Sequence, residues 1–275
     1  MGFIEFENIT KSYDTSEIVI DHLSLTIPEG EFVTILGPSG CGKTTLLKMV
    51  NKLTPYSSGS ITVDHKDIQD WDTIKLRRSI GYVIQQIGLL PHLSIEKNIN
   101  YILNITKSDK KFRRGKAEEL LELVGLSKDY LTRYPRELSG GQKQRVGVAR
   151  ALAADPKIIL MDEPFGAVDE IARTALQDEI LNIHKKLKKT ILFVTHDIQE
   201  AIKLGTTIVL MNDGKIEQVG TKEDLIFSPA NDFVREFFGI KGFQATLDKS
   251  ILRDLYKRIL TKEESIETLY QKLKS

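Results

Sequence analysis

Apolar residues are grouped along the chain in short continuous runs, separated by longer segments in which they recur with helical spacing. Runs at residues 32–36, 158–161 and 191–194 are typical of central parallel strands that are covered on both faces. Between the last two runs, residues 172–187 have the spacing of a helix. Strands and helices that alternate in this way predict an α/β fold.

The N-terminal segment differs, because its apolar positions predict strands and turns without helices. Residues 18–20 and 23–27 are two separate apolar stretches, and the second alternates with a period of two. Further strands are predicted at residues 61–63, 80–84, 208–211 and 215–219, the last two joined by the turn Asn212-Asp213-Gly214.

Helical patterns fill much of the remaining sequence. Residues 43–53 predict a helix, and most of residues 94–153 is helical in pattern. Within that segment, Gly125 is expected to end a helix over residues 117–124. Helical, charged sequence begins again near residue 222. The middle segment therefore predicts a helical insertion in the α/β fold.

Composition narrows the class of protein without naming an activity. The 275 residues include 39 basic and 38 acidic ones, for a net charge of +1, so the basic excess of a dedicated DNA-binding domain is lacking. The single cysteine excludes an intrachain disulfide. No apolar run reaches the roughly 20 residues that span a bilayer, and no signal-peptide pattern is visible. We expect a soluble, cytoplasmic, globular protein.

A phosphate-binding loop is predicted immediately after the run at residues 32–36. Glycines let backbone N–H groups approach phosphate oxygens, and the start of a helix adds further donors. Lys43 is placed to neutralise phosphates and the Thr44 hydroxyl to bind Mg²⁺. Cys41 is either a redox-sensitive thiol or a small residue that fills the loop. The octapeptide that fits G-x-x-x-x-G-K-[ST] is Gly37-Pro38-Ser39-Gly40-Cys41-Gly42-Lys43-Thr44, and Thr45 follows it.

Two carboxylates and a histidine follow buried strands. Asp162 and Glu163 end the run at residues 158–161, and His196 follows the run at residues 191–194. Asp162 is suited to hold Mg²⁺, and Glu163 to act as a general base on water. Alone, each would be an ordinary polar strand end. Because open α/β sheets bind ligands at the carboxyl ends of their strands, we expect all three near the phosphate-binding loop.

The segment Leu138-Ser139-Gly140-Gly141-Gln142 carries a family resemblance. Together with the motifs above, it makes residues 3–235 resemble the ATP-binding subunit of ABC transporters. The resemblance implies a P-loop NTPase core of the RecA type, with an N-terminal antiparallel β subdomain and a helical subdomain that bears this signature segment. It implies an ATPase domain over residues 1–238, its helical part at about 88–155, and a short helical tail at 239–275.

The roles of the family carry over to matching positions. Tyr13 resembles the aromatic residue that stacks on adenine, although an ordinary tyrosine at a strand end would look the same. Gln85 resembles the glutamine that touches Mg²⁺ and the attacking water, with Gln86 as the alternative register. Asp169 resembles the aspartate that communicates across a dimer, and His196 the histidine that contacts the γ-phosphate. The implied catalytic residues are Glu163, His196 and Gln85, and the implied Mg²⁺ ligands are Thr44, Gln85 and Asp162.

The resemblance also implies partners. The signature segment, with Ser139, Gly140, Gly141 and Gln142, would complete the ATP site of a second copy, so that two ATP molecules lie in a head-to-tail pair. Transmembrane permease subunits would bind near residues 86–106, and a substrate-binding protein would act indirectly. The chain would lie at the cytoplasmic face of the membrane, without nucleic acid. The apolar residues that would form either a groove there or part of the core are Ile87, Leu89, Leu90 and Leu93.

Residues 68–78, 81–92 and 161–173 resemble the ATPase subunits of bacterial importers for quaternary amines such as glycine betaine, carnitine and choline. Because such subunits do not bind the transported molecule, the substrate follows from kinship alone, and an amino acid or polyamine is the alternative.

Many members carry a C-terminal pair of CBS modules, for which residues 239–275 are too few. Two apolar stripes there would dock a partner or pack on the ATPase domain: Leu247, Ile251, Leu255, Ile259 and Leu260, then Ile266, Leu269 and Leu273.

Other classes of protein fit the sequence less well. Soluble relatives in DNA repair carry long coiled-coil heptads, and those in translation carry two ATPase copies; this sequence has neither. The signature segment argues against a P-loop kinase, and exporter subunits usually contain a fused membrane domain.

Overall fold

Two sheets are built from the apolar runs of the sequence. The computed structural model describes residues 2–14, 17–166 and 168–246, together with residues 257, 260 and 261. Its strands are β1 (Ile4–Asp14), β2 (Glu17–Ile27), β3 (Phe32–Leu36), β4 (Ser58–Val63), β5 (Lys66–Asp67), β6 (Ile80–Val83), β7 (Ile158–Asp162), β8 (Thr190–Thr195), β9 (Thr207–Asn212) and β10 (Lys215–Gly220).

The larger sheet has six strands in the order β10-β9-β3-β8-β7-β6. Five of them run parallel, and β10 pairs antiparallel with β9 as the predicted hairpin. Strands β3, β7 and β8 are buried along their whole length, as continuous apolar runs require. Leu36 pairs with Thr195 and Asp162 with Val194, so the carboxyl ends of these strands meet at one edge. The predicted α/β architecture is confirmed.

The smaller sheet is antiparallel, in the order β2-β1-β4-β5. The prediction of separate strands at residues 18–20 and 23–27 is wrong, because both belong to β2. Asp21 and His22 lie opposite the single residue Thr10, which is a β-bulge, and His22 has a φ of 48°. The His22 N–H donates to the Thr10 hydroxyl, so the strand continues through the bulge.

Helices cover the larger sheet and fill the middle of the chain. The predicted insertion between β6 and β7 is a set of α-helices and short 3-10 turns, and Gly125, with a φ of 67°, ends a helix there as expected. The α-helices are α1 (Lys43–Val50), α2 (Thr73–Ser79), α3 (Ile95–Ile99), α4 (Tyr101–Ile105), α5 (Lys110–Leu123), α6 (Gly140–Leu152), α7 (Glu170–Leu187), α8 (Ile198–Leu204), α9 (Lys222–Phe227) and α10 (Asp232–Thr246).

The core has three parts that together fix the edge of the larger sheet. One lies between that sheet and the helices of the insertion and α7, and includes Leu121 and Phe193. A second joins the larger sheet to the antiparallel sheet through α1, with Leu47 fully buried. The third surrounds α8 and α10 and includes Phe238. The carboxyl ends of β3, β7 and β8 are therefore held from both faces.

Replacing Phe193 with alanine is expected to lower the free energy of unfolding by about 3–5 kcal/mol. Its ring is 0% exposed and lies 5.4 Å from the ring of Phe165 and 6.0 Å from that of Phe32, so the change leaves a cavity. Urea unfolding followed by circular dichroism measures the loss. Phe227→Ala is the control, because that ring is 61% exposed, and an equal loss in both variants would contradict the expectation.

The C-terminal part of the described chain bends at Gly239, where α10 has a φ of 41° and a ψ of −144°. In the regions that the structure describes, every helix is too short or too polar to cross a membrane. The predicted stripes of the tail lie outside the described residues, except for Leu260, which is exposed.

Candidate functional site

The phosphate loop, residues 37–44, joins the end of β3 to the start of α1. Gly42 precedes α1 with a φ of 99°, and no side chain of a described residue caps the helix, so N–H groups of its first turn are free for a ligand. A Cβ at Gly37 would lie 2.1 Å from the Met211 carbonyl oxygen, so only glycine fits there. Pro38, Ser39, Gly40 and Cys41 lie between these glycines, and Thr44 and Thr45 lie in the first turn of α1.

Lys43 is folded back over this loop. It is 5% exposed, and its Nζ donates to the carbonyl oxygens of Gly37 at 2.8 Å and Pro38 at 2.6 Å. Its described hydrogen-bond partners are two carbonyl oxygens and the Cys41 sulfur, and none of them is a carboxylate. A buried cation of this kind favours an anion beside it. The loop and Lys43 therefore fit a polyphosphate.

Cys41 lies in the same loop and is buried. Its Sγ is 3.8 Å from Lys43 Nζ. Burial raises the pKa of the Cys41 thiol, and the opposing charge of Lys43 does not cancel that effect. The thiolate is the reactive form, so the structure favours the loop-filling role over the redox role.

Asp162 reaches the phosphate loop from the end of β7. The Thr44 hydroxyl donates to Asp162 Oδ1 at 2.7 Å, and the Tyr82 hydroxyl lies 3.5 Å from Oδ2. Burial and the neighbouring Asp162 carboxylate raise the pKa of Tyr82 well above its usual range, so the phenol stays protonated. A hydroxyl and a carboxylate are the oxygen donors that Mg²⁺ prefers, and these two fit that ion beside bound phosphates.

Glu163 is the centre of a second group of side chains. Its Oε2 accepts a hydrogen bond of 3.2 Å from Gln85 Nε2 and lies 3.3 Å from His196 Nδ1. Its backbone has a φ of 42°, which costs a non-glycine residue roughly 1–2 kcal/mol. The Glu163 N–H donates to the Val194 carbonyl at 3.0 Å, which ties this conformation to β8. The strained turn aims the carboxylate between the glutamine and the histidine.

The two glutamines after β6 make different contacts. Gln85 reaches Glu163, whereas Gln86, although described, makes no hydrogen bond to that carboxylate. Arg150 of α6 holds the next residues, because its Nη1 donates to the Gly88 carbonyl at 2.7 Å and its Nη2 to that of Ile87 at 3.0 Å. The apolar residues Ile87, Leu89, Leu90 and Leu93 are all half-buried, with Leu89 against the core of the insertion.

The signature segment lies elsewhere on the chain. Ser139 caps α6 by accepting from the Gln142 N–H at 3.3 Å, while Gln142 Oε1 accepts from the Ser139 N–H at 3.0 Å. Ser139 and Gly140 are exposed. Among the residues described, no hydrogen bond or ion pair links Ser139–Gln142 to the phosphate loop, Asp162 or Glu163. One copy of the chain therefore leaves this cap open to solvent.

Asp169 lies beside the signature segment. It caps α7 by accepting from the Ala172 N–H at 3.0 Å. A Cβ at the buried Gly141 would lie 3.2 Å from the Ala172 Cβ, so α6 and the start of α7 are in close contact. Gly141 thus lies against Val168 and Ala172, which stand on either side of Asp169 in the sequence, and both Ser139 and Asp169 are exposed.

Tyr13 lies near the end of β1 and is 59% exposed. The Lys11 Nζ lies 4.6 Å from the centroid of the Tyr13 ring. The neighbouring strand β2 reaches the phosphate loop, since a Cβ at Gly42 would lie 2.8 Å from the Val19 carbonyl oxygen. The ring is free to stack on a flat ligand, but no described contact joins it to the loop.

Sequence reasoning missed Tyr82, Arg150 and Thr195. Tyr82 lies on β6, paired with Leu160 of β7, and Arg150 projects from α6. Thr195 ends β8 directly before His196. Thr195 could have been found as the polar residue at the end of β8. Tyr82 and Arg150 could not, because they contact residues that are brought close only by the fold.

The chain is similar in sequence and structure to known nucleotide-binding proteins, in agreement with the geometry of the phosphate loop. A family model described as ABC transporter matches residues 20–166. The dimeric, post-hydrolysis structure of the ATP-binding cassette MJ0796 bound to ADP and Pi has a TM-score of 0.72 and 35% sequence identity, covering 79% of this chain and 98% of that one. The fold is therefore that of an ATP-binding cassette.

Two curated relatives extend the similarity. The choline transport ATP-binding protein OpuBA of Bacillus subtilis is 51% identical over 236 residues, or 86% of this chain and 62% of that protein. The carnitine transport ATP-binding protein OpuCA of Listeria monocytogenes is 52% identical over 236 residues, or 86% of this chain and 59% of that protein. The chain thus spans less than two thirds of the length of either relative.

Proposed function

The chain belongs to the ABC transporter family, and from this premise we propose that it is the ATP-hydrolysing subunit of an importer for a quaternary amine osmoprotectant. The observation that carries the proposal is the meeting of three groups at one sheet edge. These are the phosphate loop with Lys43, the Thr44–Asp162 pair, and Glu163 between Gln85 and His196. Such an edge has a place for phosphates, for a cation and for an attacking water.

ATP is the proposed ligand of the phosphate loop. The free N–H groups of α1 and the buried ammonium group of Lys43 bind its β- and γ-phosphates. Tyr13 supplies a face for the adenine ring, since its exposed ring offers stacking without base-specific hydrogen bonds. Thr44, Asp162 and Gln85 would hold Mg²⁺ beside the phosphates, and bound Mg²⁺ would supply neutralisation of the charge that develops on the phosphate oxygens.

Glu163 takes the proton of the attacking water in this proposal. Its carboxylate orients the water from one side, while Gln85 fixes the carboxylate through the bond from Nε2. His196, 3.3 Å from the same oxygen and exposed, is free to turn to the γ-phosphate when a nucleotide binds. The strained backbone of Glu163 keeps the carboxylate aimed at that position.

A second copy completes each site. The signature segment forms the exposed start of α6, and the N-terminus of this helix suits the γ-phosphate of an ATP bound to the partner. Its residues are Ser139, Gly140, Gly141 and Gln142. ATP then contacts both copies and favours the closed pair, and hydrolysis removes this bridge. Asp169 directly follows Val168, which lies beside Gly141, and in this proposal it faces the same pair. The relative MJ0796 is a dimer in its solved structure, which supports the arrangement.

Membrane permease subunits are the proposed partners at residues 86–106, where the half-buried residues Ile87, Leu89, Leu90 and Leu93 leave part of an apolar surface open. A substrate-binding protein acts through those subunits, and the chain is peripheral at the cytoplasmic face of the membrane. A net charge of +1 gives no basis for nucleic acid as a partner.

We assign residues 1–238 to the ATPase domain, with the helical part at about 88–155, and 239–275 to a tail; the bend at Gly239 supports the boundary.

The transported solute is proposed to be glycine betaine, carnitine or choline, because the relatives OpuBA and OpuCA are named for choline and carnitine transport. The alternative is another small solute such as an amino acid or polyamine. A strain that lacks the gene should lose uptake of at least one of the three radiolabelled quaternary amines. Unchanged uptake of all three would refute this substrate class, and loss of a labelled amino acid or polyamine would favour the alternative.

A further inference from the structure

Glu200 is a buried carboxylate that the roles above do not use. It lies in the first turn of α8, is 6% exposed, and its Oε2 accepts a hydrogen bond of 2.6 Å from the Thr195 hydroxyl. Burying a carboxylate is costly unless hydrogen-bonded groups compensate. The compensating hydroxyl belongs to the residue directly before His196.

The Thr195 hydroxyl also fixes the turn that carries His196. While its proton goes to Glu200, its oxygen accepts a bond of 3.0 Å from the Asp197 N–H. Asp197 in turn caps α8 through the N–H groups of Gln199 and Glu200. Both residues that flank His196 are therefore held by one hydroxyl, and Glu200 sets the direction of that hydroxyl.

The groups around Glu200 have opposing effects on its carboxyl. Burial raises the pKa of Glu200 and Asp197 adds to the rise, whereas the bond from Thr195 and the charges of Arg173 and His196 oppose it. The Thr195 hydroxyl, at 2.6 Å, is a direct contact to this carboxylate.

We propose that Glu200 is a positioning residue for His196, acting through Thr195. The proposal rests on the proposed function, in which His196 turns to the γ-phosphate. The Thr195 hydroxyl, directed by Glu200, fixes the backbone on both sides of His196 and so sets the position from which the imidazole reaches the phosphate.

Variants of the full chain test the proposal by steady-state ATP hydrolysis. Thr195→Val removes the hydroxyl at nearly constant volume, and Glu200→Ala removes its acceptor. Each is expected to lower kcat by at least about 10-fold and to leave KM for ATP within about threefold, because His196 is displaced while the phosphate loop is intact. Thr195→Ser keeps the hydroxyl and should restore at least about half of the wild-type kcat.

A matched control separates positioning from general packing of α8. Lys203→Ala removes an ion pair between α8 and α7, since Lys203 Nζ lies 2.7 Å from Asp178 Oδ1, and it should leave kcat unchanged. A loss of kcat in Lys203→Ala equal to that in Glu200→Ala would show that packing of α8 is responsible and would overturn the proposal.

Single-turnover hydrolysis in a His196→Ala background gives the decisive comparison. If Glu200 acts through His196, adding Glu200→Ala to His196→Ala causes no further loss. The same fold-loss in both backgrounds, or a kcat within about twofold of wild type for folded Thr195→Val and Glu200→Ala, would overturn the proposal. A wild-type chain without ATPase activity, or a fully active His196→Ala variant, would instead contradict the proposed function.

Discussion

The variant Glu163→Gln is expected to hydrolyse ATP at least about 10²-fold more slowly than the wild type while it still binds ATP. Glutamine has the same size and keeps the position between Gln85 and His196, but it cannot accept the proton of water. A loss of 10²-fold corresponds to about 2.7 kcal/mol of transition-state stabilisation. Phosphate release measures turnover, and gel filtration with ATP should show a dimer that persists because its bridge is not hydrolysed.

The control for Glu163→Gln is Glu236→Gln, which changes an exposed carboxylate on α10. That variant should hydrolyse ATP at the wild-type rate and dissociate as the wild type does. Near-normal turnover in Glu163→Gln would remove Glu163 from the role of general base. Loss of ATP binding together with turnover would show that the side chain acts on the ground state.

The variant Lys43→Ala is expected to bind ATP at least about tenfold more weakly than the wild type. A hydrogen bond to a charged group contributes about 1.5–3 kcal/mol, and a loss of about 1.4 kcal/mol is a factor of ten in Kd. The wild-type Lys43 is already buried over the phosphate loop, where it donates to the Gly37 and Pro38 carbonyls, so a phosphate gains a preplaced cation. Calorimetric titration with ATP measures the difference.

Lys48→Ala is the matched control for Lys43→Ala, because Lys48 lies in the same helix, one turn beyond the phosphate loop. Its Kd for ATP should equal that of the wild type. An unchanged Kd in Lys43→Ala would contradict the assignment of the loop, and a weakened Kd in both variants would indicate damage to α1 itself.

The strands of the larger sheet were predictable because burial on both faces leaves continuous apolar runs. Residues 158–161 and 191–194 are such runs, and they became neighbours β7 and β8. Parallel pairing then placed Asp162 and His196 at one edge, as expected from the ends of the strands. The elements that position the phosphates and the carboxylates could thus be read from the sequence.

The bulge in β2 could not be read in this way. Asp21 and His22 interrupt the apolar pattern, which suggests a break, yet His22 adopts a φ of 48° and the strand continues. The length of α1 was overestimated for a similar reason, because Lys52 turns the chain with a φ of 56° after Val50. When a single non-glycine residue adopts a left-handed backbone conformation, the spacing of apolar residues along the sequence does not show it.

Contacts between distant elements were also beyond the sequence. Tyr82 approaches Asp162 from a neighbouring strand, and Arg150 crosses from α6 to the Ile87 and Gly88 carbonyls. Glu200 follows His196 by four residues, but its burial is set by the packing of α8. These residues have ordinary surroundings in the sequence, and their roles arise from tertiary packing.

Complementation of transport tests the central claim most directly. A strain without the gene receives either the wild-type chain or Glu163→Gln at equal expression, and uptake of labelled glycine betaine, carnitine and choline is measured. We predict that the wild type restores uptake of at least one of the three and that Glu163→Gln restores none. Equal restoration by both chains, or none by the wild type, would contradict a transporter ATPase that works through Glu163.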